Sequence, residues 1–119
     1  MDGNERIVEV IAAATVTSDC YSTPIDLGTY VRGKQISLFQ QTSTVSGTMD
    51  IAIQESVTTT TGFAALDTAA AFTQIAAGGS EQINCIPKKR YIRLAFDITG
   101  TSGATWTGSV CALLEKLIA

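Results

Sequence analysis

The feature that most constrains this chain is a hydrophobic alternation of period two in its C-terminal third. In the run YIRLAFDIT, every second residue from Ile92 to Ile98 is apolar, and most residues between them are polar or small. Successive side chains of a β-strand lie on opposite faces of the sheet, so the run predicts a strand with one buried face. The run TMDIAIQESV repeats the pattern. Its apolar side carries one charged residue, Glu55, which we therefore expect near a strand end.

Six further segments carry weaker strand signals, because threonine, valine and isoleucine fit a pleated sheet better than a helix. The threonine-rich run SVTTTTG adds to these signals, and turn signals such as STVSG and AAGGS separate the segments. The predicted strands are residues 7–16, 22–26, 34–42, 48–57, 72–76, 81–86, 91–99 and 105–114. This spacing predicts an all-β chain, an antiparallel β-sandwich of the jelly-roll type with about eight strands. An immunoglobulin-like sandwich is the alternative.

Two segments also have some helical character. Residues 63–72 are expected to hold one alanine-rich turn inside a loop. The C-terminal run CALLEKLIA suits either a strand or a final helical turn, and we favour the strand. With 119 residues, the chain predicts one domain, residues 1–119, whose polar residues 1–6 form a flexible arm.

Composition narrows the classes of partner. The chain is 45% hydrophobic and has a formal net charge of −3, which predicts a folded domain without a general attraction to nucleic acid or to a membrane surface. Glu9 interrupts the most apolar N-terminal run, and no run reaches the length of a membrane span. We therefore expect a soluble protein made in the cytosol.

The residues that support catalysis or metal binding are scarce. The chain has no histidine, and its cysteines, Cys20, Cys85 and Cys111, are widely spaced. This predicts reduced thiols that act as small hydrophobic residues, with no metal and no cofactor. Without histidine there is no ordinary nucleophile–base pair, and the carboxylates are scattered. The glycine pairs lack the lysine and the helix of a phosphate-binding loop. The sequence therefore predicts that the protein is not an enzyme.

Half of the eight basic residues lie in the stretch IPKKRYIRLAFDITG. Proline predicts a turn there, with Lys88, Lys89 and Arg90 in the connection and Arg93 on the solvent face of the next strand. A nucleic-acid surface would interleave more aromatic residues, so a charged turn that keeps a strand edge soluble is the simpler interpretation. The alternative is a partner interface. Its candidates are Arg32, Lys34, Lys88, Lys89, Arg90, Tyr91, Arg93 and Trp106, although tryptophan is more often a core residue.

Several segments together resemble the small decoration, or cement, proteins on the heads of tailed bacteriophages. They are ATVTSDCYSTPIDLG, FTQIAAGG and PKKRYIRLAFDITGTSGATWTGSVCALL. What is similar is the order of parts: an IDLG segment at residues 25–28, a KRYIRL strand at residues 89–94, and a threonine- and glycine-rich turn into the last strand. This sequence departs from the pattern in its short N-terminal lead and its three cysteines.

The resemblance implies a jelly-roll subunit, commonly a homotrimer, that binds the major capsid protein on the outer surface of an assembled virion. It implies a role in stabilising the shell against internal DNA pressure, and it transfers no catalytic residue. From the residues alone, a carbohydrate-binding or head–tail accessory sandwich stays the alternative, because sugar sites need exposed aromatic rings beside polar groups.

Overall fold

The computed structural model describes residues 4–28 and 35–117, with side chains described at residues 13–28, 35–66 and 70–114. These residues form nine strands and no helix. The strands are β1 (Asn4–Val16), β2 (Cys20–Tyr21), β3 (Ile25–Asp26), β4 (Ile36–Ser46), β5 (Thr48–Ser56), β6 (Ala64–Ala71), β7 (Gly79–Cys85), β8 (Tyr91–Thr99) and β9 (Thr105–Leu117). The predicted all-β class is confirmed.

The strands form two antiparallel sheets that pack face to face, so the predicted β-sandwich is also confirmed. The four-stranded sheet has the order β1-β9-β4-β7. The five-stranded sheet has the order β2-β8-β5-β6, and β3 also pairs with β8. Strand β8 therefore lies between β5 and two short edge strands that come from a distant part of the chain.

The hydrophobic core lies between the sheets and takes alternate residues from each long strand. Fully burying one such side chain contributes about 1.5–3 kcal/mol, and a one-residue slip would move the whole apolar set to the solvent face. The two period-two runs therefore specify their own register. From β5, β8 and the opposite sheet, the core includes Met49, Ile51, Ile53, Ile92, Leu94, Phe96, Ile36, Leu38, Val110, Ala112 and Leu114.

Trp106 is a core residue with a relative exposure of 0%, which excludes it as a surface anchor in the folded subunit. Its ring lies 5.6 Å from that of Phe96 on the opposite sheet. Its indole Nε1 donates to the hydroxyl of Thr42 at 2.8 Å, and that hydroxyl donates to Oε1 of Gln40 at 2.8 Å. The polar groups inside this core thus bond to one another, which removes most of the cost of burying them.

The predicted turn in residues 63–72 is wrong, because Ala64–Ala71 forms β6 at the edge of the five-stranded sheet. Pairing with β5 outweighs the weak helical preference of alanine. The strand predicted at residues 72–76 is wrong as well. That segment runs beside β5, where Phe72 donates to the carbonyl of Ile51, but beyond β6 it forms only the isolated bridge between Met49 and Ile75.

Three other expectations about local structure are corrected. Strand β4 continues through most of the predicted turn STVSG to Ser46, and only Gly47, with a φ of 84°, makes the reversal into β5. The run of threonines at residues 58–61 is a loop, in which the Ser56 hydroxyl donates to the carbonyl of Thr61. Of the predicted strand 22–26, only Ile25–Asp26 forms a strand, β3, and residues 22–24 separate it from β2.

The predicted N-terminal arm is wrong for residues 4–6, which begin β1 and pair with the end of β9, Asn4 opposite Leu117. Residues 1–3 lie outside the described part of the chain. The described part of the C-terminal run, residues 111–117, is a strand, as favoured from its sequence.

Candidate partner-binding surface

The basic turn connects β7 to β8 and consists of Lys88, Lys89 and Arg90. A buried side chain, Glu55, holds its backbone against the core. The carboxylate of Glu55, with a relative exposure of 2%, accepts the backbone N–H groups of Lys88 at 2.8 Å and Lys89 at 3.2 Å. Hydrogen bonds from two amides satisfy a carboxylate that would otherwise be costly to bury. The exposed side chains of both lysines therefore project from a backbone with a fixed position.

Arg90 is held by the IDLG segment. Its Nε and Nη2 donate to the two carboxylate oxygens of Asp26 at 2.8 and 2.9 Å. The Leu27 amide donates to the carbonyl of Arg90 at 2.6 Å, and the Gly28 amide donates to Asp26 Oδ1 at 2.7 Å. The hydrogen bonding between the Arg90 and Asp26 side chains, together with the charge of Asp26, raises the pKa of Arg90. Arg90 thus orders the turn, and its charge is matched within the subunit.

A second arrangement lies on the outer face of the five-stranded sheet, and we call Tyr21, Gln54, Phe63 and Arg93 the arginine clamp. The guanidinium carbon of Arg93 lies 3.7 Å from the ring centre of Tyr21 and 4.2 Å from that of Phe63. Its Nε donates to Oε1 of Gln54 at 2.8 Å, which is opposite Arg93 in the β5–β8 register. Stacking and the hydrogen bond together hold the guanidinium in one orientation.

Further along the same face lie three carboxylates, Asp19, Asp50 and Asp97, the acidic trio. Asp50 and Asp97 are directly opposite each other on β5 and β8. The charge of Asp19 raises the pKa of Asp97, and burial, a hydrogen bond with Asp19 and the charge of Asp50 act in the same direction. A shallow groove of about 390 Å³, whose lining includes Tyr21, Gln54 and Asp97, runs between the clamp and the trio. The face therefore changes from cationic to anionic along its strands.

All three cysteines are free, as the sequence predicts, but they differ in exposure. Cys85 is buried, and desolvation together with the charge of Glu55 raises its thiol pKa to about 11. Cys20 and Cys111 are only partly buried. Among the side chains that the structure describes, no group of three or more His, Cys, Asp or Glu residues is arranged to hold a metal ion.

The structure brings together only part of the predicted interface. Lys88, Lys89, Arg90 and Tyr91 are contiguous, and Arg90 lies 5.2 Å from the ring centre of Tyr91. Arg93 lies further along β8 on the solvent face, as predicted, and its guanidinium stacks with two aromatic rings there. The core position of Trp106 removes it from the set. Arg32 and Lys34 lie outside the described residues.

Sequence reasoning missed Tyr21, Phe63 and Gln54. They come from three separate segments, and none of them carries a motif that points to the others. The available signal was the β5–β8 register, which places Gln54 opposite Arg93 once both strands are paired. Nothing in the sequence shows that β2 and the residue just before β6 bring aromatic rings to this position.

In comparisons with known proteins, no family model, no curated protein and no solved structure matches the chain. Across the described residues, no helix has the length and apolar character needed to cross a bilayer.

Proposed function

We propose that this chain is a structural virion protein that binds the outside of an assembled phage capsid and stabilises it, acting as a homotrimeric decoration protein. The observation that carries the proposal is that two segments of the resemblance, IDLG and KRYIRL, form one surface. They pair through β3 and β8, Ile25 opposite Ile92 and Asp26 opposite Tyr91. The ion pair of Arg90 with Asp26 and the buried Glu55 then fix the basic turn beside them.

The strand order supports a jelly roll as the finer description of the sandwich. If β2 and β3 are counted as one interrupted strand, each sheet has four strands, and successive strands alternate between the sheets except at the β5–β6 connection, which stays within one sheet. Eight strands in two packed sheets are typical of a jelly roll, whereas an immunoglobulin constant-type sandwich has seven.

Adhesion to a shell requires a rigid surface that makes several modest contacts. In a trimer, the first contact makes the later ones intramolecular, so each can be small and still add to retention. The charged lysine pair would orient the subunit on an acidic capsid surface, since electrostatic complementarity acts mainly on orientation and on the rate of encounter.

The test is binding to undecorated heads, with subunit number measured by sedimentation. We expect a homotrimer that binds saturably. Changing Lys88→Ala with Lys89→Ala should weaken binding about five- to tenfold at low salt, and the difference should shrink as screening increases. Gln41→Ala with Gln82→Ala, on the other sheet, is the matched control and should bind as the unchanged protein does.

Two results would count against the proposal at different levels. A monomer that does not bind heads at any concentration would remove the capsid function. Normal occupancy and normal salt dependence of the lysine variant would remove the basic turn from the interface, while leaving the function in place.

One observation favours a second candidate, carbohydrate binding. Tyr21 has a relative exposure of 60% and borders the groove together with Gln54 and Asp97, the combination of aromatic and polar groups that sugar sites use. Arg93 already covers one face of the Tyr21 ring, which leaves less platform for a sugar, so we rank this function second. A reproducible ligand on a glycan array would reverse the order.

A further inference from the structure

We propose that the arginine clamp is a receptor for a carboxylate, supplied by an aspartate or glutamate side chain of a partner protein. This inference rests on the proposed function and deepens it, because it names the chemical group that the partner presents. It assigns to Arg93 and Tyr21 a role that is separate from that of the basic turn.

The guanidinium of Arg93 is already held in place before any partner binds. An arginine on a free surface loses side-chain entropy when it binds, which reduces its net contribution. Arg93 has already lost that freedom, because the rings of Tyr21 and Phe63 stack with its guanidinium and Gln54 accepts from its Nε. A ligand that meets this guanidinium therefore incurs little further ordering cost.

Part of the Arg93 guanidinium is not used by contacts within the described residues. Within the described residues, Arg93 makes a single hydrogen bond, through Nε to Gln54. The N–H groups on its two Nη atoms are therefore available as a parallel pair, the geometry that matches a carboxylate. Arg90 provides the contrast inside the same chain, since Asp26 takes both its Nε and Nη2.

The surroundings of Arg93 suit a carboxylate on a protein partner. Tyrosine and arginine are enriched among the residues that dominate protein–protein binding energy, and the exposed Tyr21 lies directly beside the guanidinium. Asp97 follows Arg93 on the same face of β8, about 13 Å away at the rise of a strand. A single carboxylate can reach Arg93 without meeting the acidic trio, whereas an extended nucleic-acid backbone would lie across it and be repelled.

The test compares three variants on undecorated heads and checks each for an unchanged unfolding transition. Arg93→Lys keeps the charge but loses the planar pair of donors, and it should weaken binding about tenfold. Tyr21→Leu removes the stacked ring and should weaken binding by a similar factor. Phe39→Leu is the matched control, because Phe39 is an exposed aromatic residue of the other sheet, with a relative exposure of 39%, and should change binding less than twofold.

A second measurement does not depend on heads. In an NMR titration, a short peptide that contains two glutamates should shift the Arg93 side-chain signals and the Tyr21 ring signals, and its glutamine counterpart should not. If the glutamate peptide caused no shift at concentrations up to about 10 mM, any binding would be too weak to be specific. That result would overturn the proposal that the clamp is a carboxylate receptor. Shifts with a short oligonucleotide alone would overturn the assignment to a protein carboxylate.

The two proposals can therefore fail separately. If the unchanged protein binds heads and Arg93→Lys binds within twofold of it, the clamp is not the contact and the capsid function stands. If the unchanged protein does not bind heads, the capsid function fails. The peptide titration alone then decides whether the clamp binds carboxylates.

Discussion

Ionisation of Asp97 opposes the folded state. The pKa of Asp97 is raised, chiefly by the charge of Asp19, so the folded chain binds this proton more tightly than the unfolded chain does. Ionising Asp97 therefore destabilises the fold. Its contribution is most favourable below the ordinary aspartate pKa of about 3.9 and is lost as the pH rises through the raised value.

We predict that Asp97→Asn raises the melting temperature at pH 7 by roughly 1–3 °C, the order expected when one exposed like-charge contact is relieved. The asparagine amide can donate to Asp19 at every pH, whereas Asp97 can do so only when protonated. The gain should disappear near pH 3, where both proteins are uncharged at this position. Thermal melts at several pH values measure it.

The matched control is Asp26→Asn, which changes a carboxylate that is paired with Arg90. That substitution should lower the melting temperature at pH 7, because it removes an attraction rather than a repulsion. If Asp97→Asn also lowered the melting temperature at pH 7, the repulsion within the acidic trio would not be the dominant effect.

At the scale of elements, the close approach of β9 to β4 depends on Gly108. A Cβ at this position would contact the carbonyl oxygen of Gln41 and the indole ring of Trp106. The first contact is with backbone in the middle of a paired strand, and the second is with a buried ring that other side chains hold in place. Neither neighbour can move without breaking the β4–β9 ladder or the core.

We therefore predict that Gly108→Ala destabilises the protein by about 3 kcal/mol or more, at the severe end for a single substitution. Gly103→Ala is the comparison, because Gly103 has a φ of 89° but nothing within 4 Å of the added Cβ. It should cost only about 1–2 kcal/mol of backbone strain. Denaturation in guanidinium chloride gives the free energy of unfolding of each variant. Equal losses of stability would contradict the steric explanation.

The elements that the sequence predicted well are those in which period-two patterning and burial agree. Strand β8 has uninterrupted alternation, β5 departs from it only at Glu55, and the boundaries of both strands lie within one residue of the prediction. Strand β6 was missed because its alanine-rich sequence has no alternation of large and polar side chains, and its conformation depends on pairing with β5. The break between β2 and β3 has a similar origin. There the Ser22 hydroxyl accepts the amide of Leu94, a contact that no local pattern specifies.

At the scale of the whole molecule, the two sheets should unfold together. The ring of Trp106 contacts Phe96 across the sandwich, so its fluorescence reports on packing between the sheets, while far-UV circular dichroism reports on the strands themselves. We predict that the two signals change at the same denaturant concentration, as expected for one cooperative domain of this size. Separated midpoints would mean that one sheet persists without the other.

The candidate site was predictable only in its local part. Proline before three basic residues predicted an exposed charged turn, and that turn exists. The partners that fix it, Glu55 from β5 and Asp26 from β3, are distant in sequence, and only the strand order brings them together. The same holds for the arginine clamp. Long-range pairing therefore decides which charges are matched within the subunit and which remain available to a partner.

The buried Glu55 also has a mechanical consequence. A pull on Lys88 or Lys89 passes along the backbone into β7 and β8, and it also passes through two amide hydrogen bonds to the carboxylate of Glu55 on β5, a strand bonded on both sides within its sheet. We therefore expect the turn to move with the subunit as a rigid part of it, and not to stretch as a flexible loop would. A tug on it would be shared by the body of the subunit, and little of the applied work would be lost in stretching a loop.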